Sequence, residues 1–451
     1  MTDHDDDTDT TTDHGHGTDT TTDHGHGTEQ RVGADSHEDH TVTPYDVAGD
    51  VDYDRVREQF GAAALTDADV DSFPEPVHQL LRRRVFYAGR DVRRFTEAAA
   101  AGDRVSVVTG VGPSGPMHLG HVLVFYFARY LQREAGAHVY IPLSDDEKLF
   151  GGDLSPRERR QYTRSNLRNL LGVGFDPERT RILVDTVDAE AVYPHAARFA
   201  GELTTDAVES AYGRQDRPGR LFYPAVQTTH LLLPQLVDGP HPTLVPVAVD
   251  QDPHVRVSRD VAGKDRYDVT KPAALLSKFL PRLDGGGGKM SSSDHDSPES
   301  ATASGTDTAS PTASDDSARS VAASDDGTAP PIYLDDDRET VERKFQRHAY
   351  SGGKSSVEAH RREGGNPAVD VAYRFLHAFF EPDDEEIERI AEQYRDGSLL
   401  SGELKQRAAD AVATFLERHR ERRPDDDVPV AEAVDPYRLR ADERARLRND
   451  L

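Results

Sequence analysis

Cysteine is absent from the 451-residue chain, which excludes disulfides, zinc–thiolate sites and cysteine nucleophiles. No apolar run reaches the roughly 18 residues that a membrane helix needs, and the first residues are acidic and polar. Neither a membrane span nor a signal peptide is therefore expected, and a soluble cytoplasmic protein fits the composition. Lysine is scarce, with eight residues against forty-six arginines. Positive charge as a whole is in deficit: 54 basic side chains face 82 acidic ones, for a net charge of −28. Little lysine, abundant Asp and Glu, and many Ala, Gly and Thr point to a protein of a high-salt cytoplasm.

What is present is unevenly spread. Residues 1–44 form an acidic tail in which Thr8–Gly17 and Thr18–Gly27 repeat one string. Such a tract cannot bury apolar surface and is expected to be disordered. Its His-Gly-His pairs offer only loose metal chemistry, and no metal site is assigned. Residues 45–102 read as mostly helical. A catalytic domain is expected over 103–334, interrupted over 294–330 by a Ser-, Ala-, Thr- and Asp-rich insertion without apolar periodicity. From 335 to 451, residues such as Val341, Phe345, Ile387, Leu404, Val412 and Leu416 mark a helical region. The length suits two or three domains.

Val105-Ser106-Val107-Val108 is a short β-branched run that reads as a buried parallel strand. Gly110, Gly112, Pro113, Ser114 and Gly115 cannot continue it and form a turn. Leu119, Val122, Leu123, Tyr126 and Phe127 then recur at helical spacing. Strand, glycine-rich turn and helix open a doubly wound, Rossmann-like α/β domain whose helix N-terminus suits phosphate. His118 and His121 share one face of the first helical turn and can donate hydrogen bonds to phosphate oxygens. Gly120 removes a side chain where a nucleotide would press on the helix. Alone, the string fits a helix-capping loop with two surface histidines equally well.

A second string changes that balance. Lys289-Met290-Ser291-Ser292-Ser293 follows a glycine tether, Gly285 to Gly288. Lys289 places a cation where charge builds on a leaving pyrophosphate, and such chemistry rests on positioning and electrostatics. With so few lysines in the chain, one here is conspicuous.

Together, and in this order, Pro113–His121 and Lys289–Ser293 resemble the HIGH and KMSKS signatures of class I aminoacyl-tRNA synthetases. Ser144–Lys148, Phe222–Gln227, Ala248–His254, Arg256–Ala262, His348–Gly353 and Leu399–Lys405 look like segments of archaeal and eukaryotic tryptophanyl-tRNA synthetases. The resemblance runs from about Tyr45 to Arg423 and, taken with the high-salt composition, implies a haloarchaeal branch. It implies ATP-dependent activation of tryptophan and transfer to tRNA(Trp), with Mg²⁺ accompanying ATP chiefly through its phosphates. It implies catalytic roles for Lys289, His118 and His121, and ATP contacts from Gly110, Gly112, Pro113, Ser114, Gly120, Met290, Ser291 and Ser292. Glu147 should accept the indole N–H, while Gln227 and Gln251 hold the substrate's polar groups. Val108 and Pro142 stand where relatives usually carry Tyr and Gln, and Val111 where an arginine is common. The resemblance also implies a homodimer and an anticodon-binding role for 335–451. A tyrosine–tRNA ligase remains the enzymatic alternative, and a non-catalytic tRNA- or nucleotide-binding paralogue the other.

For a tRNA partner the net charge has the wrong sign. At 1 M salt, however, the Debye length is about 3 Å, so binding can rest on local arginine clusters. Arg157, Arg159, Arg160, Arg164 and Arg168 form one such cluster, and Arg418, Arg420, Arg422 and Arg423 another. Either reads equally as a solvated helix face. Screening of so many acids should stabilise the fold. The melting temperature is therefore expected to rise with KCl up to about 2 M, and a flat or falling series would contradict adaptation to high salt.

Overall fold

A computed structural model describes residues 51–151, 154–286, 289–290 and 329–449. The N-terminal repeat, Ser291, Ser292 and nearly all of the 294–330 insertion lie outside the described residues. Seven strands make one mixed sheet in the order β1-β2-β7-β6-β3-β4-β5. They are β1 (Ala63–Ala64), β2 (Phe86–Arg90), β3 (Ser106–Val108) and β4 (His138–Leu143). After them come β5 (Thr180–Val184), β6 (Thr243–Ala248) and β7 (Ala273–Ser277).

The five strands β3 to β7 pair in parallel, as the strand–turn–helix reading predicts. β2 adds to β7 antiparallel, and β1 to β2. The segment before residue 103, expected to be mostly helical, thus also completes one sheet edge. Its Phe86-Tyr87-Ala88 run is fully buried and too short for a stable helix of its own. The expected helices after His118 and across 157–171 are present as Leu119–Glu134 and Pro156–Gly172.

Successive strand residues feed two different cores, because side chains alternate across a sheet. Val107, Val139, Ile141, Ile182, Leu244 and Leu275 enter one core. Their chain neighbours Val108, Tyr140, Leu183, Val245 and Leu276 enter the other. The first core continues through the Leu119–Glu134 helix into the C-terminal helices, including Val341, Phe345, Leu404 and Leu416. The Leu119–Glu134 helix is consequently apolar on two sides, burying both Phe125 and Phe127 completely. The second core is roofed by the helices Ala189–Ala200 and Pro218–Asp238.

The last stretch of chain returns to this second face. Leu439 and Leu447 join its core, and the His195 Nε2–H donates to the Leu447 carbonyl at 3.0 Å. Arg438 and Arg444 both clasp the buried Asp188. Arg181, on β5, pairs with Glu443 at 2.7 Å, with 6% and 8% of the two side chains exposed. Removing one member of a buried pair strands the other charge. Glu443→Ala is expected to cost about 3 kcal/mol, read as a lower denaturation midpoint at unchanged slope. A loss well under 1 kcal/mol, the exposed-pair range, would mean that water replaces the carboxylate freely.

Candidate active site

The chain leaves β3 toward β4 and β5, then returns to β6 on the other side of β3. Ligands of such sheets bind at this reversal, beyond the carboxyl ends of the strands. Here the loops following β3 and β6 meet. The β3 turn is fastened to β4: the Val111 N–H donates to the Pro142 carbonyl at 3.2 Å, and Ser144 N–H to the Val111 carbonyl at 3.1 Å. A Cβ on Gly112 would lie 2.2 Å from Glu147 Oε2. Glycine at this point therefore lets the glutamate lie directly against the turn.

His118 is the N-cap of the Leu119–Glu134 helix. Its Nδ1 accepts from the Gly120 N–H at 3.2 Å, which puts the ring proton on Nε2. That Nε2 is buried without a hydrogen-bond partner among the described residues. The His121 ring stacks on His118 with centroids 3.8 Å apart, and its Nδ1 accepts weakly from the His118 N–H at 3.5 Å. Burial, then the neighbouring charges, hold His118 well below its ordinary range, and burial with Lys289 holds His121 down to about 4. The capping reading is thus realised at His118. One nitrogen of His118 caps the helix and the other remains a neutral donor, and neither ring is a free surface group.

The far string arrives at the same place. Met290 is buried in the first core, 3.7 Å from where a Cβ on Gly120 would stand. Lys289 Nζ lies 2.9 Å from the buried Asp250 carboxylate just after β6. The chain beyond the insertion closes the site from behind: the Leu119 N–H donates to the Ile332 carbonyl and the Leu334 N–H to the Met117 carbonyl, each at 3.0 Å. His118, Gly120, His121, Lys289 and Met290 are therefore gathered around one helix N-terminus, while Gly110 and Gly112 lie against Pro142 and Glu147 in the turn that leads to it.

The residues expected for the amino acid lie beside them. Glu147 bonds Lys148 at 3.4 Å. Gln227 donates to Ser144 Oγ at 3.3 Å and to the Tyr223 hydroxyl, and Gln251 donates to Asp250 at 3.0 Å. Val108 is wholly buried in the second core, among Tyr140, Tyr223 and Val226. Sequence reasoning missed Asp250 as the partner of Lys289, although it immediately precedes Gln251 in a quoted string. It also missed a buried set behind Glu147. The His230 Nε2–H donates to Asp185 at 2.9 Å and the Tyr193 hydroxyl to Asp146 at 2.9 Å. Asp185 and His230 carry no local motif that would have marked them.

The chain matches the family described as tRNA synthetases class I (W and Y) over residues 100–303 and 320–417, and it belongs to that family. Tryptophan–tRNA ligase 2 of Halobacterium salinarum is 53% identical over 409 residues, which is 90% of this chain and 97% of that protein. Tryptophan–tRNA ligase of Sulfolobus acidocaldarius is 38% identical over 393 residues, 86% of this chain and 93% of its own length. The solved tryptophanyl-tRNA synthetase of Giardia lamblia is similar at a TM-score of 0.70 and 29% identity, covering 86% of this chain and 96% of that one. The Halobacterium likeness agrees with the high-salt reading of the composition. Among the described residues no helix is long and apolar enough to cross a membrane.

Burial, then the charge of Asp185, pushes the Asp146 carboxyl up to about 8, and burial pushes Asp185 up as well. Asp146 Oδ1 and Asp185 Oδ2 are both orphaned, and one proton shared between the two carboxyls satisfies both. A carboxyl raised in the folded state holds a proton that the unfolded chain has lost, so its stabilisation fades as pH rises toward 8. His230, held down to about 4 by burial, has the opposite sign but acts below its ordinary value of 6.5. Between pH 6.5 and about 8.5, the wild-type melting temperature is expected to fall more steeply than that of Asp146→Asn. Parallel curves would show that Asp146 does not hold the proton.

Proposed function

We propose that this chain is a tryptophan–tRNA ligase. The tryptophan carboxylate attacks the α-phosphorus of ATP, the bond to pyrophosphate breaks, and the aminoacyl group then passes from the adenylate to the terminal ribose of tRNA(Trp). The observation that carries this reading is the convergence on one helix N-terminus of a buried His118–His121 stack and of Lys289 held by Asp250. Across Gly112 from that centre lies Glu147.

In this reading the helix N-terminus and the His118 Nε2–H donate to phosphate oxygens, and Gly120 leaves room for the His118 ring and for Met290 beside it. Lys289 offsets charge growing on the leaving pyrophosphate. Asp250 holds the ammonium in place beforehand, so little reorganisation is needed at the transition state. Glu147 accepts the indole N–H, which is donor-only, and Gln227 and Gln251 hold the polar groups of the amino acid. Mg²⁺ enters with ATP, bound chiefly through its phosphates. The Asp250 Oδ1, which has no hydrogen-bond partner among the described residues, is the kind of hard oxygen that such a cation or its water uses. We further propose that the helical region over 335–451 forms the anticodon-binding part, and that the active form is a homodimer. Val108 and Pro142 keep tyrosine as the competing substrate.

Amino-acid-dependent ATP–pyrophosphate exchange tests the reading directly. Exchange is expected with tryptophan and far less with tyrosine, and Lys289→Ala should slow it roughly 10²–10³-fold with tryptophan affinity little changed. Faster exchange with tyrosine would overturn the substrate assignment. Equal losses in rate and affinity would make Lys289 a ground-state binding residue instead.

A further inference from the structure

A cavity of about 470 Å³ lies between the Leu119–Glu134 helix and the C-terminal helices, lined by Tyr126, Arg129, Phe379, Phe415, Arg418 and Arg422. Its volume falls within the span of small-ligand sites. Its charge is unlike the rest of the molecule. The chain carries 28 more acidic than basic side chains, and most of its half-buried arginines clasp carboxylates or carbonyl oxygens. In the two arginine clusters that the sequence singled out, Arg159 pairs with Asp145, Arg423 with Asp335, Arg168 holds carbonyls over 424–428 and Arg420 holds that of Asp336. Those side chains fasten the chain to itself.

The cavity arginines are different. Arg422 donates to the Gly172 carbonyl at 3.0 Å and to the Tyr126 hydroxyl, with no carboxylate. Arg129 and Arg418 have no acidic partner among the described residues. The Nε of Arg129 is buried without an acceptor among the described residues, and burial, then the like charges of Arg422 and Arg133, hold its guanidinium below the usual arginine range. The one acid on the rim, Asp410, is already paired with Arg338 at 3.2 Å. A half-buried cation with an orphaned donor and cationic neighbours is costly unless an anion completes it. Tyr126 and Phe415 pack against one another with centroids 5.0 Å apart and add aromatic surface to the same cavity.

Cations without acids beside aromatic rings are the pattern that holds a nucleotide, with phosphate on the guanidinium groups and base on the rings. We propose that this cleft binds an unpaired nucleotide, separate from the ATP site. Tyr126 and Arg129 lie two to three turns along the same helix from His118, so the two sites share a rigid element. In molar salt, where long-range attraction to RNA is screened, local arginine–phosphate contact and stacking are the terms that survive. The nucleotide can belong to tRNA or be free in solution, and the test separates these sources.

Binding of a tRNA(Trp) transcript and of UMP, which lacks the adenine of ATP, would be measured across a KCl series for wild type, Arg129→Gln and Arg418→Gln. Melting temperatures would serve as the folding control. Each variant is expected to weaken binding about tenfold and to flatten the slope of log K against log salt by roughly 0.7–0.9. Weakening of both ligands, or of tRNA alone, supports the site as an RNA contact. Weakening of UMP alone supports it as a site for free nucleotide. Unchanged binding of both in folded variants overturns the proposal. Should Arg129→Gln fail to fold, Arg418→Gln on the exposed rim decides the question by itself. Tryptophan-dependent exchange by the wild-type protein tests the ligase reading separately, so the failure of one is distinct from the failure of the other.

Discussion

The N-terminal turn of one helix organises this molecule. A helix end leaves its first amides unsatisfied, and here the His118 side chain takes one of them. The Ile332 carbonyl takes another, and Met290 packs against the opening made by Gly120. Two segments far from this turn in sequence are thus fixed to it. The same turn carries the dipole and the spare imidazole N–H that phosphate would use. Stability and the proposed chemistry therefore draw on the same few atoms.

Charge is handled in two ways. Several buried acids are enclosed by arginine, as at Arg181–Glu443, Arg159–Asp145 and the pair on Asp188. A planar, weakly hydrated guanidinium suits such enclosure better than an ammonium does. Lysine is kept for a few places, and Lys289 on Asp250 is one of them. A compact point charge on a flexible stem can hold one carboxylate and still reach a phosphate, which a bidentate fork does less readily.

Much of this was legible in the sequence because it obeys short-range rules. The β-branched run ending at Val108, the glycines after it and the periodic residues from Leu119 gave strand, turn and helix in place. The ordered pair of strings brought Lys289 to His118. What stayed hidden depends on contacts between distant segments. Phe86–Ala88 becomes a strand only because β7 offers an edge, and Leu439 and Leu447 cross to the far face only because an apolar surface is open there. Asp185 and His230 meet because β5 and the Pro218–Asp238 helix pack together, and neither residue is unusual in its own neighbourhood. Of the two arginine clusters, local spacing could not tell which members would be spent on carbonyls and carboxylates.

The position of the insertion has an evolutionary consequence. Met290 before it and Ile332 beyond it are both set in the same core, so the intervening chain begins and ends on fixed ground. Between two fixed ends, the entropy of closing a chain grows only logarithmically with its length, and a doubling costs about 0.6 kcal/mol. Length and composition there can drift almost without penalty, while the lysine string on one side and Ile332 on the other stay in register. The family match is interrupted within this stretch, between residues 303 and 320. The fold thus provides a place where a lineage can add or lose sequence next to its most constrained residues without disturbing them.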